Sequence, residues 1–506
     1  MPPRAALPTD TIYALATAAG RAGVAVFRVS GTAAREALTR LCPKHPLPAP
    51  RQAVLRALHH PATGDVIDHA LVLSFPAPHS FTGEDVVELH THGGRAVTQS
   101  VAEALGSLPH FRLAEAGEFT RRAFENGRMD LTEAEAIADL VHAETEAQRR
   151  QALRQMEGSL GNLYTGWRGK LARILAVMEA AIDFADEELP PDIAEQPLRD
   201  LRDLEKEIGA HLDDNHRGER LRDGLSIAIL GAPNAGKSSL LNALARRDAA
   251  IVSSTAGTTR DVIEVHLDLG GYPVMIADTA GLRESADAIE KIGIGRALER
   301  AEQADMKLLV FDGTSWPVMD EATQRLMDDS AVVVVNKVDR IEGQKAPHDS
   351  SPPEGEDTKT WACDSKPLVF VGEGVSGGDH TPSPAKTKDL LRKSKFSLPP
   401  PPGGRNQPLF VSALTGEGLP ELLAELTRKI AARFGVIGNA PSLTRARHRE
   451  ALEECRTYLQ HALNAMQSEL RAEDLRLAMR SLGRITGHVG VEDLLDIIFR
   501  DFCIGK

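Results

Sequence analysis

From its amino end the chain alternates short apolar runs of strand length with polar turns, as in Gly23-Val-Ala-Val-Phe-Arg-Val29, Ala70-Leu-Val-Leu-Ser-Phe75 and Asp85-Val-Val-Glu-Leu-His90. Between them, Thr32 to Leu41 has helical spacing, so residues 1–122 predict a small α/β domain. From Thr132 the period becomes that of helices, and residues 123–222 are expected to form the first part of a helical domain. Thr132-x-x-Glu135 has the spacing of a capping box, and Gly and Pro are absent until Gly158. A second helix is expected over Leu160 to Phe184, stopped by the acidic, Pro-containing Ala185 to Pro191, and a third over Leu198 to Arg222. The pattern changes again at Leu225 to Leu230, an apolar run that reads as a buried strand, and similar runs follow at Val274 to Ala277, Ala331 to Val335 and Pro408 to Val411. These define a second α/β unit over residues 223–435. Helical spacing resumes at Pro441, and the closing segment, residues 436–506, is too short to bury a bundle core by itself. It is expected to pack on the helices of 123–222, so that the chain is multidomain, α/β plus all-α, with the second α/β unit inserted in a discontinuous helical domain. Residues 340–407 break the pattern: Ser350-Ser-Pro-Pro353, Gly372 to Gly378 and Pro399 to Pro402 are too polar and Pro/Gly-rich for a core, and predict a disordered surface insertion.

Composition narrows the classes open to these 506 residues. Apolar residues make up 42% and charged residues 26%, yet no apolar stretch approaches the roughly 18 residues a membrane span needs. The first ten residues lack the features of a secretory or organelle leader, so a cytoplasmic location is expected. Cys42, Cys363, Cys455 and Cys503 are widely separated, which argues against a zinc ribbon or a disulfide framework. A net charge of −13 opposes broad adsorption to nucleic acid; no DNA role is expected, and any RNA contact must be local or shared with a partner.

The chemistry begins at Gly231-Ala-Pro-Asn-Ala-Gly-Lys-Ser238, a G-x-x-x-x-G-K-S loop between an apolar run and a helical segment. Backbone N–H groups and a helix N-terminus converge there on one anion, with Asn234, Ala235, Gly236, Lys237, Ser238 and Ser239 in contact, Lys237 on the β and γ phosphates and the Ser238 hydroxyl on Mg2+. Asp278, Thr279, Ala280 and Gly281 follow the next apolar run, placing a carboxylate toward the metal and the Gly281 N–H toward the γ phosphate. Asn336, Lys337, Val338 and Asp339 follow a third, and Ser412 and Ala413 a fourth. A carboxylate at Asp339 accepts two hydrogen bonds from guanine where adenine offers none, a discrimination of roughly 10^4 to 10^5, so GTP is the expected substrate. In Gly257-Thr-Thr-Arg-Asp261 either Thr258 or Thr259 suits γ phosphate and Mg2+, with Thr259 preferred for the metal. Leu282 stands where Ras-type proteins carry the water-orienting glutamine, so another group must do that work.

The Asn-Ala-Gly-Lys-Ser loop, Ala256 to Asp261, Asp278 to Arg283, Ile292-Gly-Ile294 and Phe502-Cys-Ile-Gly-Lys506, with Asp10-Thr-Ile12, Arg28-Val-Ser-Gly31, Ser80 to Asp85 and Gly117 to Thr120 near the start, make the chain resemble the MnmE (TrmE) family of tRNA-modification GTPases. The resemblance covers all but the insertion. It implies a Ras-like G domain that is activated by K+ and dimerises across its active sites. Asn234, Ser253, Thr255 and Thr258 would hold the K+, and the run Ser253, Ser254, Thr255, Ala256, Gly257 would line the nucleotide. Glu290 would activate water in place of the missing glutamine. It further implies an N-terminal domain that binds a one-carbon tetrahydrofolate through Arg28, Glu88, Arg128 and Lys506, although the family is expected to carry lysine where Arg128 stands. Cys503 becomes a candidate catalytic or positioning thiol. The implied reaction is carboxymethylaminomethyl addition at C5 of the tRNA wobble uridine by a homodimer, in a heterotetramer with the flavoprotein MnmG, which supplies FAD. Arg476, Arg480 and Arg484 form a basic helical stripe that reads first as a solvated face and second as a tRNA phosphate contact. The alternative from another class is a GTPase switch in ribosome assembly without RNA chemistry.

Overall fold

The computed structural model describes residues 10–183, 191–247, 264–278, 304–341, 407–435, 438, 440–490, 492–500, 502 and 505. The first unit contains strands β1 (Thr11–Leu15), β2 (Ala22–Ser30), β3 (Val54–His59), β4 (Val66–Phe75), β5 (Val86–Gly93) and β6 (Phe111–Leu113), with helices α1 (Ala34–Leu41), α2 (Arg95–Gly106) and α3 (Glu118–Glu125). Its sheet has the order β3-β4-β5-β2-β1-β6, and only the β1–β6 pair is parallel. Alternation along β2 turns Phe27 and Val29 into a core with Leu38, Leu41, Leu89, Val101 and Leu105, closed by α1 and α2. On the other face, Ile12 and Ala14 meet Phe119 and Phe81.

Helices α4 (Leu131–His142), α5 (Glu146–Met156), α6 (Ser159–Asp183), α7 (Pro191–Leu212) and α8 (Arg217–Asp223) follow. Three expectations are corrected here. The capping box of α4 is Asp130 with Glu133, two residues earlier than Thr132 with Glu135; Thr132 bonds Asp130 at 2.7 Å from inside the helix, and Glu135 is buried. The stretch up to Gly158 is two helices, because Thr145 with Gln148 forms a second capping box and restarts the chain. The helix expected over Leu198 to Arg222 breaks at Asn215 and His216, whose φ values of 53° and 55° no α-helix accommodates.

The second sheet is built from β7 (Leu225–Leu230), β8 (Glu264–Leu269), β9 (Tyr272–Asp278), β10 (Met306–Asp312), β11 (Ala331–Asn336) and β12 (Leu409–Phe410), with helices α9 (Lys237–Ala245), α10 (Glu321–Gln324) and α11 (Leu419–Phe434). Its order is β12-β11-β10-β7-β9-β8, parallel except for the edge strand β8. Being covered on both faces, β7, β10 and β11 are almost wholly buried, which is why their sequences are nearly continuous apolar runs, with Ser226, Lys307, Asp312 and Asn336 as the polar exceptions.

Helices α12 (Ala446–Asn464), α13 (Ser468–Thr486) and α14 (Glu492–Arg500) complete the chain. Leu452, Leu459, Leu475 and Leu482 share one core with Leu160, Trp167, Leu171, Leu201 and Ile208, so the helical domain is discontinuous, with the second α/β unit inserted. Phe499 and Phe502 pack on Leu131 and Ala134 of α4. Beyond them Gly505, at φ 99°, lies so close to β1 that an added Cβ would stand 2.5 Å from the Leu15 carbonyl oxygen. The chain end therefore returns to the first sheet.

Candidate functional site

At the end of β7 the chain turns into α9 through residues 231–236. Gly236 caps α9 at φ 89° and turns the N-terminus of the helix, the positive end of its dipole, toward the loop, where an anion is favoured. A Cβ at Gly236 would meet Asn336 Nδ2 at 2.3 Å, which fits only glycine between this loop and β11. Lys237 is buried and its Nζ donates to the carbonyls of Gly231 and Ala232 at 2.8 and 3.0 Å, which holds the ammonium inside the loop. Asn234 and Ser238 are exposed at the loop's lip. The β7–β9 register pairs Ile229 with Asp278, so Asp278 ends its strand next to the start of the loop. The exposed Ser238 hydroxyl at the lip is an oxygen donor of the kind a hard cation such as Mg2+ takes.

The base site is assembled from β11, β12 and their following turns. Asn336 is buried; its Nδ2 donates to the Ala235 carbonyl at 3.1 Å and its Oδ1 accepts from the Ala413 amide at 3.1 Å, so it ties three loops together. Ser412, fully buried, donates to Asp339 Oδ1 at 2.5 Å and accepts from the Thr415 amide at 3.1 Å. Asp339 itself is exposed, so its carboxylate is aimed by Ser412 while its remaining lone pairs stay open to a base.

On the open face of the first sheet the β2–β5 register sets Arg28 opposite Glu88. Arg28 donates through Nε and Nη2 to Glu88 Oε1 at 3.2 and 3.0 Å, and His90 Nε2 lies 3.3 Å from Glu88 Oε2. The guanidinium sits 5.3 Å from the Phe81 ring centre and 5.8 Å from that of Phe119. Arg128 is exposed, with its stem beside Gly83. Beneath, Arg122 is 2% exposed and donates to Glu84 Oε1, Asp10 Oδ1 and Glu118 Oε1 at 3.2, 3.1 and 3.0 Å, while Ser30 Oγ donates to Glu84 Oε2 at 2.7 Å. Burial would raise the Asp10 carboxyl, but Arg112 and Arg122 outweigh it and hold it below its ordinary range.

The GTP-binding protein TrmE N-terminus family matches residues 11–128 and the MnmE helical domain family matches residues 131–503. A tRNA modification GTPase MnmE from Paramagnetospirillum magneticum is 52% identical over 498 residues, covering 98% of this chain and 100% of the relative. The chain belongs to the MnmE family of tRNA modification GTPases. It is thereby a GTP hydrolase acting in tRNA modification. A further relative, the human mitochondrial 5-taurinomethyluridine-(tRNA) synthase subunit GTPB3, is 46% identical over 501 residues, covering 98% of this chain and 93% of its own. Among solved structures, Era of Aquifex aeolicus aligns with a TM-score of 0.24 at 21% identity, over 48% of this chain and 68% of that one.

Of the MnmE-type site residues named from sequence, Ser253 to Thr259, Thr279, Ala280, Gly281, Glu290, Cys503 and Lys506 lie outside the described residues, as does the expected insertion apart from its ends. Asn234 to Ser239, Asn336 to Asp339, Ser412 and Ala413 are brought to one end of the second sheet. Arg28 and Glu88 are brought together on the first. The stripe on α13 is largely neutralised: Arg476 pairs with Glu473 and Glu179 at 2.9 and 2.7 Å, and Arg484 pairs with Glu454.

A buried ionic network was not foreseen. Glu135, fully buried on α4, accepts from Arg447 Nε at 2.6 Å, contacts His448 Nε2 at 2.9 Å and lies 3.3 Å from Arg445 Nε. One helical turn on, Asp139 Oδ1 accepts from Arg445 at 2.8 Å and from Arg222, next to the P-loop strand, at 2.9 Å. Burial alone would raise the Glu135 carboxyl, but Arg447, His448 and Arg445 hold it far below its usual range. Burial, then Arg447, push the His448 imidazole down to about 4. Among the described residues its Nδ1 has no partner, which fits a neutral ring whose Nε2–H donates to Glu135. The signal in the sequence was the run Arg445 to Arg449 opening a helix, where the dipole disfavours cations unless acids face them.

Proposed function

We propose that the chain is a cytoplasmic, Mg2+-dependent and K+-activated GTPase that works as a homodimer and, with the flavoprotein MnmG in a heterotetramer, installs a carboxymethylaminomethyl group at C5 of the tRNA wobble uridine from a one-carbon tetrahydrofolate. Residues 1–122 hold the folate, residues 223–435 hydrolyse GTP, and residues 123–222 with 436–506 link them. Lys237 neutralises the β and γ phosphates, Ser238 and Thr259 hold Mg2+, and Asn234 with Ser253, Thr255 and Thr258 holds K+. Glu290 activates water, and Asp339, aimed by Ser412, reads guanine. Glu88 pairs with the pterin amine and ring N–H, with Arg28, Arg128 and Lys506 as its cationic neighbours; FAD chemistry enters through the partner.

The observation that carries this reading is the return of the chain end to the Arg28 strand pair. Gly505 abuts Leu15, and the preceding β1 residue, Ala14, is the register partner of Arg28. A domain that only binds RNA has no use for its own distal tail beside a half-buried Arg28–Glu88 pair. A K+ ion facing the phosphates does the work of a cationic finger, worth roughly 10^3 to 10^5 in rate. The test is GTP hydrolysis at matched ionic strength in KCl and NaCl: the reading requires much faster turnover in K+, and equal rates remove Asn234 as a cation ligand. Among the described residues no helix is long and apolar enough to cross a membrane.

A further inference from the structure

Lys337 holds two ends of the nucleotide site at once. Its Nζ donates to the Asn234 carbonyl at 2.6 Å and to Asp312 Oδ2 at 2.7 Å, and its Cε lies over Gly236, 3.7 Å from where a Cβ would be. Asn234 and Lys337 both occupy the left-handed region, at φ 66° and 65°, conformations that non-glycine residues keep only when their surroundings hold them there. For Asn234 that restraint includes the Lys337 ammonium on its carbonyl. For Lys337 it is Asp312, the last residue of β10, whose register partner is Asn336.

The Asp312 carboxylate is fully committed. Its Oδ1 accepts from Thr314 N and Oγ1 at 2.9 and 2.8 Å, which fixes the carboxylate plane and leaves Oδ2 facing the lysine. Burial alone would raise this carboxyl, but Lys337 and Thr314 hold it below its ordinary range, so it stays anionic at neutral pH. No part of the G-x-x-x-x-G-K-S loop or of the Asn336–Asp339 run includes Asp312; sheet register alone brings it there.

We infer that Asp312 is a positioning residue that couples guanine recognition to monovalent-cation activation, by fixing Lys337 on the carbonyl of Asn234 and so setting the pose of the Asn234 side chain. The inference rests on the K+ role given to Asn234 above. A base bound against the Asn336–Asp339 run and a K+ ion at Asn234 then both draw on the Lys337 bridge, so each favours the other, and the coupling is reciprocal.

The experiment titrates K+ against Na+ at constant ionic strength and reads GTP turnover by the full-length protein and by its Asp312→Asn variant, with GDP affinity measured in both salts. The expected result is a rise of roughly fivefold or more in the K+ concentration at half-activation. At saturating K+, kcat recovers to within about twofold, and the K+ dependence of GDP affinity shrinks by the same factor as the half-activation point moves. Thr314→Ala keeps the amide bond to Asp312 Oδ1 and loses only the hydroxyl's, so it shifts the half-point less than Asp312→Asn does. Asp312→Glu, which keeps the charge on a longer arm, gives a smaller shift of the same sign and serves if the asparagine variant fails to fold. A higher KM for GTP with an unmoved K+ half-point overturns the inference, since Asp312 then serves base binding alone. Equal wild-type rates in the two salts would instead remove the K+ reading itself.

Discussion

Replacing Glu135 by glutamine probes the joint between the two parts of the discontinuous helical domain. The substitution conserves volume, so packing stays and only charge and hydrogen bonding change. Glu135 is 0% exposed and faces Arg447, His448 and Arg445 within 2.6 to 3.3 Å. Losing one member of a buried pair costs roughly 3–5 kcal/mol, because the partners remain desolvated. Arg445 keeps Asp139 at 2.8 Å and Arg447 keeps the Ile485 carbonyl at 3.2 Å, which places the expected loss near the lower end, about 3 kcal/mol. Urea unfolding followed through Trp167, which lies in the same helical core, should shift its midpoint down by roughly 1–3 M, given a slope of about 1–3 kcal/mol per M. A pH arm sharpens the test. His448 is held neutral, with its pKa down at about 4, so the unfolded chain binds its proton first; stability is therefore lost as pH falls from about 6.5 toward 4, by up to about 1.4 kcal/mol per pH unit. Glu135, held low, adds loss in the same direction once pH drops below its unfolded value. An unshifted midpoint for Glu135→Gln at pH 7.5, measured with about 0.5 kcal/mol precision, would show that the network carries no net charge interaction and refute the reasoning.

Three further outcomes are expected. Asp339→Asn turns an acceptor toward guanine into a donor, and GTP affinity should fall by roughly 10^3-fold or more while xanthosine triphosphate, with a carbonyl in place of the amine, gains; competition binding with unchanged GTP affinity contradicts the base site. Glu88→Gln should weaken tetrahydrofolate binding by roughly tenfold or more in calorimetry, with GDP affinity as the folding control; unchanged folate binding takes Glu88 out of that site. Gly505→Val places side-chain atoms against the Leu15 carbonyl and should undock the tail, read as faster tryptic cleavage after Arg500 by mass spectrometry; an unchanged cleavage rate contradicts the docking.

Where one local pattern determines an element, reading residues sufficed. Leu225–Leu230 spans the same residues as β7, because a strand buried on both faces is apolar at nearly every position. The discontinuous helical core followed from a length argument, since residues 436–506 cannot bury themselves. Failures occurred where neighbouring residues compete for one role: Asp130 outcompetes Thr132 as a cap, and Thr145 splits what looked continuous. Long-range electrostatics were illegible. Arg445, Arg447 and His448 are some 310 positions from Glu135, and Asp312 is 25 from Lys337, so neither partnership has a spacing rule. The α13 stripe shows the same limit, its charges being answered from α6 and α12.

The central claim is that GTP turnover in one domain drives uridine chemistry organised by another. Its most direct measurement is reconstitution of this chain with MnmG, GTP, K+, methylene-tetrahydrofolate and unmodified tRNA, followed by nucleoside mass analysis. The account predicts a C5 substituent on the wobble uridine that disappears when GTP, K+ or the folate is omitted. Robust GTP hydrolysis with an unaltered wobble uridine, under conditions where both proteins and the tRNA associate, would contradict it.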